Sequence, residues 1–343
     1  MSLKFLKALM SLKSLGSLRF LGAFGLLGAI ASCTSHTGEG EMEPAAIGFH
    51  THRIEEVGTR ALISTTDDLR TLGFGVYGDK TVGTSSPSPQ LVFNNIKVKV
   101  SGTSWDYEPT KYWDRTADYR FVAYAPWAES VTSYNPENKK LTIEDIPQWQ
   151  EVNSDVKDYL VATSANTAET YISAYGGTVS LAFQHILAQL TVNIAKVSST
   201  ADYKVKGLSF ESEVPTGVCY CVYDSSNESL DFSGSTDGQQ NLLPTDANIE
   251  VGTSSTQLAH YLVAPFDLGS TELKLSLKYT LGSSGPKTVP VPLGITKFES
   301  NCSYVFNLRF EAGSNISVSV TEVKNWVKPW ETSDEVTDDV YNW

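Results

Sequence analysis

The chain has 343 residues, of which 41% are apolar, and its 26 basic and 39 acidic side chains give a net charge of −13. Residues 1–32 hold Lys4, Lys7, Lys13 and Arg19 and no acid, so the other 22 basic and 39 acidic residues leave the rest of the chain at −17. A surface this negative repels phosphate backbones and argues against a nucleic-acid partner, while the length and apolar fraction suffice for two packed domains.

The basic stretch to Arg19 leads into an apolar run, Phe20 to Ile30, that is too short to span a bilayer and ends in Ile30-Ala31-Ser32-Cys33. Small residues before a cysteine suit a lipoprotein signal peptidase. Residues 1–32 therefore read as a signal peptide, and Cys33 as the acylated N-terminus of a chain anchored to a membrane but not embedded in it. An ordinary secretory signal with a coincidental cysteine is the competing reading. Residues 33–44 read as a polar, acidic tether.

A short strand is expected over Ala45 to Ile54, with Ile47 and Phe49 on one face, followed by the polar connection Glu55 to Arg60, which contains a glycine and is open to a protease. Within it, Arg60 precedes the small Ala61 and is the favoured site for an arginine-specific cut. Arg53 is the alternative, and an ordinary exposed arginine the bland reading. Losing the strand would uncover a groove whose apolar contacts are worth roughly 1.5–3 kcal/mol per large side chain.

Leu72 to Tyr77 reads as a strand, and Ile96, Val98 and Val100 alternate with Lys97, Lys99 and Ser101 as a half-exposed one should. Between Trp105 and Pro126 the chain gathers Trp105, Tyr107, Tyr112, Trp113, Tyr119, Phe121 and Tyr124. Pro109 cannot donate to a sheet ladder, so the run should divide into an extended arm and a strand over Tyr119 to Ala125. Tyr119, Phe121, Ala123 and Ala125 occupy one face and Arg120, Val122 and Tyr124 the other, which suits a strand buried on both sides. An exposed aromatic platform is the alternative.

The Ser/Thr/Gly-rich segment from Thr163 to Thr178 marks a candidate boundary between residues 45–170 and 171–343. Phe183, Ile186, Leu187 and Leu190 fit one helical face, which makes His185 a structural hydrogen-bonding residue in preference to a metal ligand. Further strands follow from the alternation of Leu273, Leu275, Leu277 and Tyr279, of Tyr304, Phe306, Leu308 and Phe310, and of Ile316, Val318 and Val320. Residues 327–343 form an acidic tail. Many short strands between Gly, Asn and Pro turns, with no long amphipathic helix, place the chain in the all-β class as antiparallel sandwiches.

Catalytic patterns are missing from the sequence: no GxSxG, HExxH, Walker or GxGxxG signature occurs. Paired acids such as Asp67-Asp68 and Asp338-Asp339 would point apart on a strand, the wrong arrangement for flanking a glycosidic bond, and read as solvated turns. His50 and His52 would share a strand face, but no carboxylate or cysteine cluster completes a metal site. With Cys33 lipidated, Cys219, Cys221 and Cys302 remain; either of the first two could bridge to Cys302, or all could be buried thiols. No cofactor is expected.

The order of these features resembles the fimbrillin-like lipoproteins of Bacteroidales. It comprises the lipobox, Thr59-Arg60-Ala61, Phe74-Gly75-Val76-Tyr77, Trp105 to Pro126, Asp158-Tyr159-Leu160-Val161-Ala162, Phe183 to Leu190, and Tyr304 followed by Ile316 to Val320 and Trp326. The resemblance implies two tandem Greek-key, transthyretin-like β-sandwich domains and a place at the cell surface as a subunit of type V pili. Such a subunit is exported as an outer-membrane lipoprotein, trimmed by an arginine-specific protease and polymerised with other subunits by donor-strand exchange. Ile316 to Val323 has the better donor pattern and Val327 to Trp343 the freer end. A monomeric surface lipoprotein that binds glycan through exposed rings such as Trp127, Trp149 and Trp330 is the competing function.

Overall fold

The computed structural model describes residues 44–52, 54–56, 66–83, 88–153, 155–198, 200–311, 315–324 and 327–329, whose regular elements are strands but for two short helices. The first half runs β1 (Gly48–Thr51), β2 (Ile54–Glu56), α1 (Thr66–Leu72), β3 (Phe74–Val82), β4 (Gln90–Ser101), β5 (Ser104–Asp106), β6 (Ala117–Ala125), β7 (Thr132–Asn135), β8 (Lys140–Pro147), β9 (Trp149–Glu151), β10 (Leu160–Thr167), α2 (Ala168–Tyr175), β11 (Thr178–Leu181) and β12 (Gln184–His185).

Six of these strands form an antiparallel sheet in the order β12-β10-β6-β3-β4-β5, with β6 in its interior. Both faces of β6 are buried, as its apolar alternation predicts. On one face Phe121 meets Phe49, Trp113 and Tyr171 at ring separations of 5.8, 5.9 and 5.8 Å. On the other, Tyr124 lies 6.3 Å from Tyr77, which in turn lies 5.6 Å from Tyr134 of β7, and the Tyr77 hydroxyl donates to the Thr132 carbonyl at 2.9 Å. That second face is closed by a sheet of β7, β8, Val218–Asp224 and Ser229–Ser233. Gly75 stands directly opposite Tyr124 in the ladder, and its missing side chain is the space the tyrosine ring fills.

A second core lies between two further sheets. One carries Ile316–Lys324, Cys302–Phe310, Ala188–Lys196, Thr256–Val263 and β9 in that order. The other carries Ile249–Glu250, Tyr203–Phe210, Lys274–Leu281 and Lys287–Pro292. Leu187 belongs to the first core and Ala188 to the second, but the division is not simply sequential: Cys219, Cys221 and Tyr223 return to the first core, and Trp149 packs against the second. The limit at residues 170–171 read from the sequence lies inside α2, whose Tyr171 is part of the first core. The ladders are antiparallel except for β1 with β11 and Ala188–Lys196 with Cys302–Phe310, which are parallel.

Two local expectations are corrected. The strand expected from Leu72 starts at Phe74, because Thr66–Leu72 is helical. Asp67 and Asp68 sit in the first turn of that helix, where acids favour the helix dipole. Gly73, with φ 71°, closes it by donating its N–H to the Leu69 carbonyl at 2.9 Å. The helical face expected over Phe183 to Leu190 is also absent: the segment forms β12 and the start of Ala188–Lys196. Phe183 and every residue from His185 to Leu190 are buried, so the segment has no solvated side and its spacing carries no period.

Substituting Gly75 by Ala drives a methyl group into the Tyr124 ring. The variant is expected to lose about 1–3 kcal/mol of stability through overpacking, read as a lower urea midpoint; a wild-type midpoint would mean that β3 and β6 tolerate the extra volume.

Candidate functional site

Gly48-Phe49-His50-Thr51 is a four-residue strand whose alternation turns Phe49 and Thr51 inward and leaves His50 exposed. Among the described residues it pairs with one strand, β11, in parallel register: Gly48 opposite Thr178, Phe49 opposite Val179, His50 opposite Ser180 and Thr51 opposite Leu181. Its other flank lies along the extended arm that leads to β6. There Ile47 N–H donates to the Lys111 carbonyl at 2.8 Å, Trp113 N–H to the Ala45 carbonyl at 3.0 Å, and the Tyr107 hydroxyl to the Ile47 carbonyl at 2.7 Å. The aromatic stretch therefore does two jobs. Its strand half builds the sheet, and its arm half holds β1 against it.

Packing is what fixes β1. Phe49, 7% exposed, meets Phe74, Phe93, Tyr107 and Phe121 at ring separations of 6.2, 5.5, 5.5 and 5.8 Å, all edge to face. Burial of one such side chain contributes roughly 1.5–3 kcal/mol, and each aromatic pair adds about 0.5–1.5 kcal/mol. Ile47 is buried beside it.

Just downstream, β2 pairs antiparallel with Val327–Pro329: Ile54 faces Pro329, Glu55 faces Lys328 and Glu56 faces Val327. The single strand expected over Ala45 to Ile54 is thus an isolated bridge at Ala46, then β1, then β2. Arg60 and Ala61 fall between β2 and α1, and Cys33, Arg53 and Trp330 are likewise outside the described residues. Ile316–Lys324 lies at the edge of its sheet, locked to Cys302–Phe310 by a nine-residue ladder. Its apolar face is incompletely covered, with Val320 42% exposed.

The remaining candidates are structural. His50 and His52 have ring centroids 6.0 Å apart, and His52 Nε2 lies 2.7 Å from Ser180 Oγ. Burial, with the neighbouring His50, lowers the His52 pKa. Among the described residues no three His, Cys, Asp or Glu side chains are grouped to hold a metal. His185 Nδ1 donates to Asp158 Oδ1 at 2.8 Å with both side chains fully enclosed, which is the structural hydrogen bond expected of it. Cys219 and Cys221 are buried free thiols, and burial raises the Cys219 pKa to about 11. The bridge to Cys302 does not form, since Cys302 belongs to the other core. Trp149 packs against Phe210, Phe266 and Phe298 and donates to the Pro215 carbonyl at 2.7 Å, while Trp127 is half-buried beneath the Lys97 ammonium. Both rings are partly buried by these contacts. Among the described residues no helix is long and apolar enough to cross a membrane.

Sequence reasoning identified Ile47 and Phe49 but not what receives them. Val179 and Leu181 of β11 and the Tyr107 hydroxyl lie 60 or more residues away, and no local pattern announces such pairings.

A family model described as fimbrillin-like matches residues 59–326. Among solved structures, a fimbrial protein from Bacteroides vulgatus superposes with a TM-score of 0.57 at 17% identity, covering 82% of this chain and 99% of that one. A protein from Bacteroides uniformis, assigned provisionally to cell adhesion, gives a TM-score of 0.48 at 14% identity, over 82% of this chain and 98% of its own. The first of these shares the fold. A search of curated protein sequences gives no significant match.

Because Phe49 fills a closed aromatic pocket and His50 points outward, Phe49→Ala is expected to cost about 3–5 kcal/mol, and His50→Ala less than about 0.5 kcal/mol. Urea denaturation of both variants checks this, and equal midpoints would remove Phe49 as the anchor of β1.

Proposed function

The chain belongs to the fimbrillin-like family, and on that premise we propose that it serves at the cell surface as a structural and adhesive subunit of a type V pilus, without a catalytic role. In this reading the precursor is exported as an outer-membrane lipoprotein held through Cys33. It is cut after Arg60 by an arginine-specific protease and joins other subunits by donor-strand exchange.

The observation that carries the proposal is the seat of β1. Among the described residues it is bonded to one strand, yet it and the preceding residue place Phe49 and Ile47 in the first core, and it ends nine residues before Arg60. A cut there would release residues 33–60 as one piece, β1 and β2 included. The groove left behind would expose Phe74, Phe93, Tyr107 and Phe121 together with the unpaired edge of β11. Exposing so much apolar surface costs several kcal/mol against a domain stability of about 5–15 kcal/mol. An incoming strand would refill it, with main-chain hydrogen bonds for affinity and alternate side chains for fit.

The same cut would remove β2, the partner of Val327–Pro329, and so release the C-terminal region at the moment the groove opens. That favours the region from Val327 to Trp343 as the donor, since Ile316–Lys324 keeps its own nine-residue ladder. Surface molecules of a host or of other bacteria are the adhesive partners this role implies.

Wild type and Arg60→Ala are to be treated with an arginine-specific protease and run on unboiled gels. Wild type is expected to form a ladder and Arg60→Ala to stay monomeric, and deletion of residues 327–343 is expected to abolish the ladder. Ladders of equal strength from Arg60→Ala would contradict the mechanism.

A further inference from the structure

A cleft of about 560 Å³ opens beside β1, where the exposed edge of that strand meets α1, the β4–β5 turn, the end of α2 and the start of β11. The volume is that of a small-molecule site. Two aromatic rings border it. Trp105 is half-buried, its orientation fixed by an edge contact to Phe74 at 4.8 Å, and Tyr175 at the end of α2 is 53% exposed. Between the walls stands Arg70. Its Nη2 donates to the Thr103 carbonyl at 3.3 Å and its guanidinium carbon lies 5.9 Å from the centre of the Trp105 ring, so the cation is positioned by a carbonyl and a ring.

Arg70 sets the charge of the cleft. Among the described residues none of those lining it is acidic and no carboxylate pairs with Arg70, although the chain beyond its first 32 residues carries a net −17. A guanidinium offers five donors in a planar fork that matches a carboxylate, and one bond to Thr103 leaves most of them for a ligand. The other polar groups on the walls, Ser180 and the exposed His50 among them, are of the kind that bond sugar hydroxyls.

We propose that this cleft binds a carboxylate-bearing saccharide, with the acid group on Arg70, a pyranose face against Tyr175 and Trp105, and ring hydroxyls on the Ser, Thr and His side chains of the walls. The site does not depend on strand exchange. It exists with β1 in place, and because Phe49, His50 and Thr51 contribute to its walls, it is a property of the uncut chain.

The test is calorimetric titration of the intact, uncleaved full chain with tetragalacturonic acid and with 3′-sialyllactose, using lactose as the neutral control. Wild type is expected to bind at least one of the two acidic probes more tightly than lactose. Loss of charge-assisted hydrogen bonds in Arg70→Gln should weaken the acidic probe by about tenfold or more and leave lactose unchanged. Tyr175→Ala, at an exposed position, should weaken both kinds of sugar. Thermal melts establish that each variant is folded, and protease-induced ladders should form as in wild type. Failure of both acidic probes to bind, equal affinity for lactose, or undiminished affinity in Arg70→Gln would overturn the proposal; ladders persisting in Arg60→Ala, which would contradict the assembly mechanism, would leave it standing.

Discussion

Phe49 is the point on which the first half of the molecule converges. Its ring touches Phe74 of β3, Phe93 of β4, Tyr107 of the arm and Phe121 of β6, and so brings four pieces of chain together around one side chain. The strand that delivers it is four residues long and, among the described residues, pairs with a single strand. Its hold on the fold therefore lies in side-chain burial more than in its ladder. The proposed exchange would then require an incoming segment that presents a comparable ring at the same register.

The geometry also links the two ends of the described chain. β1 and β2 are separated by two residues, one seated in the first core and the other paired with Val327–Pro329. Whatever displaces this N-terminal segment acts on both places at once. The acidic-sugar cleft shares the same strand, so that polymer assembly and ligand binding would draw on overlapping residues.

Period-two alternation made much of the fold legible in the sequence. The runs through Val98, Leu275 and Phe306 lie in the strands expected of them, because a strand with one better-buried face imposes its period on the residues directly, and β6 follows from its dense apolar run. The short α1 and the enclosed segment around His185 were not legible. α1 buries Leu69 and exposes most of its remainder, too little to print a helical period, and the segment around His185 is enclosed on all sides. Pairings over long separations left no trace either: the parallel match of Phe49 with Val179, the Asp158–His185 hydrogen bond, and the meeting of Arg70 with Trp105 each depend on where distant elements land. The site was therefore half visible, its insert readable and its receptor not.

The central claim is that β1 is a removable part of the first core and that its departure opens a groove. Hydrogen exchange of the chain cut after Arg60, measured by mass spectrometry before polymers form, tests it most directly. Peptides covering Thr178–Leu181 and the arm from Tyr107 to Trp113 should lose protection, while β6 and the strand Cys302–Phe310 keep theirs. Full protection of Thr178–Leu181 in cut chains that have shed residues 33–60 would contradict the account.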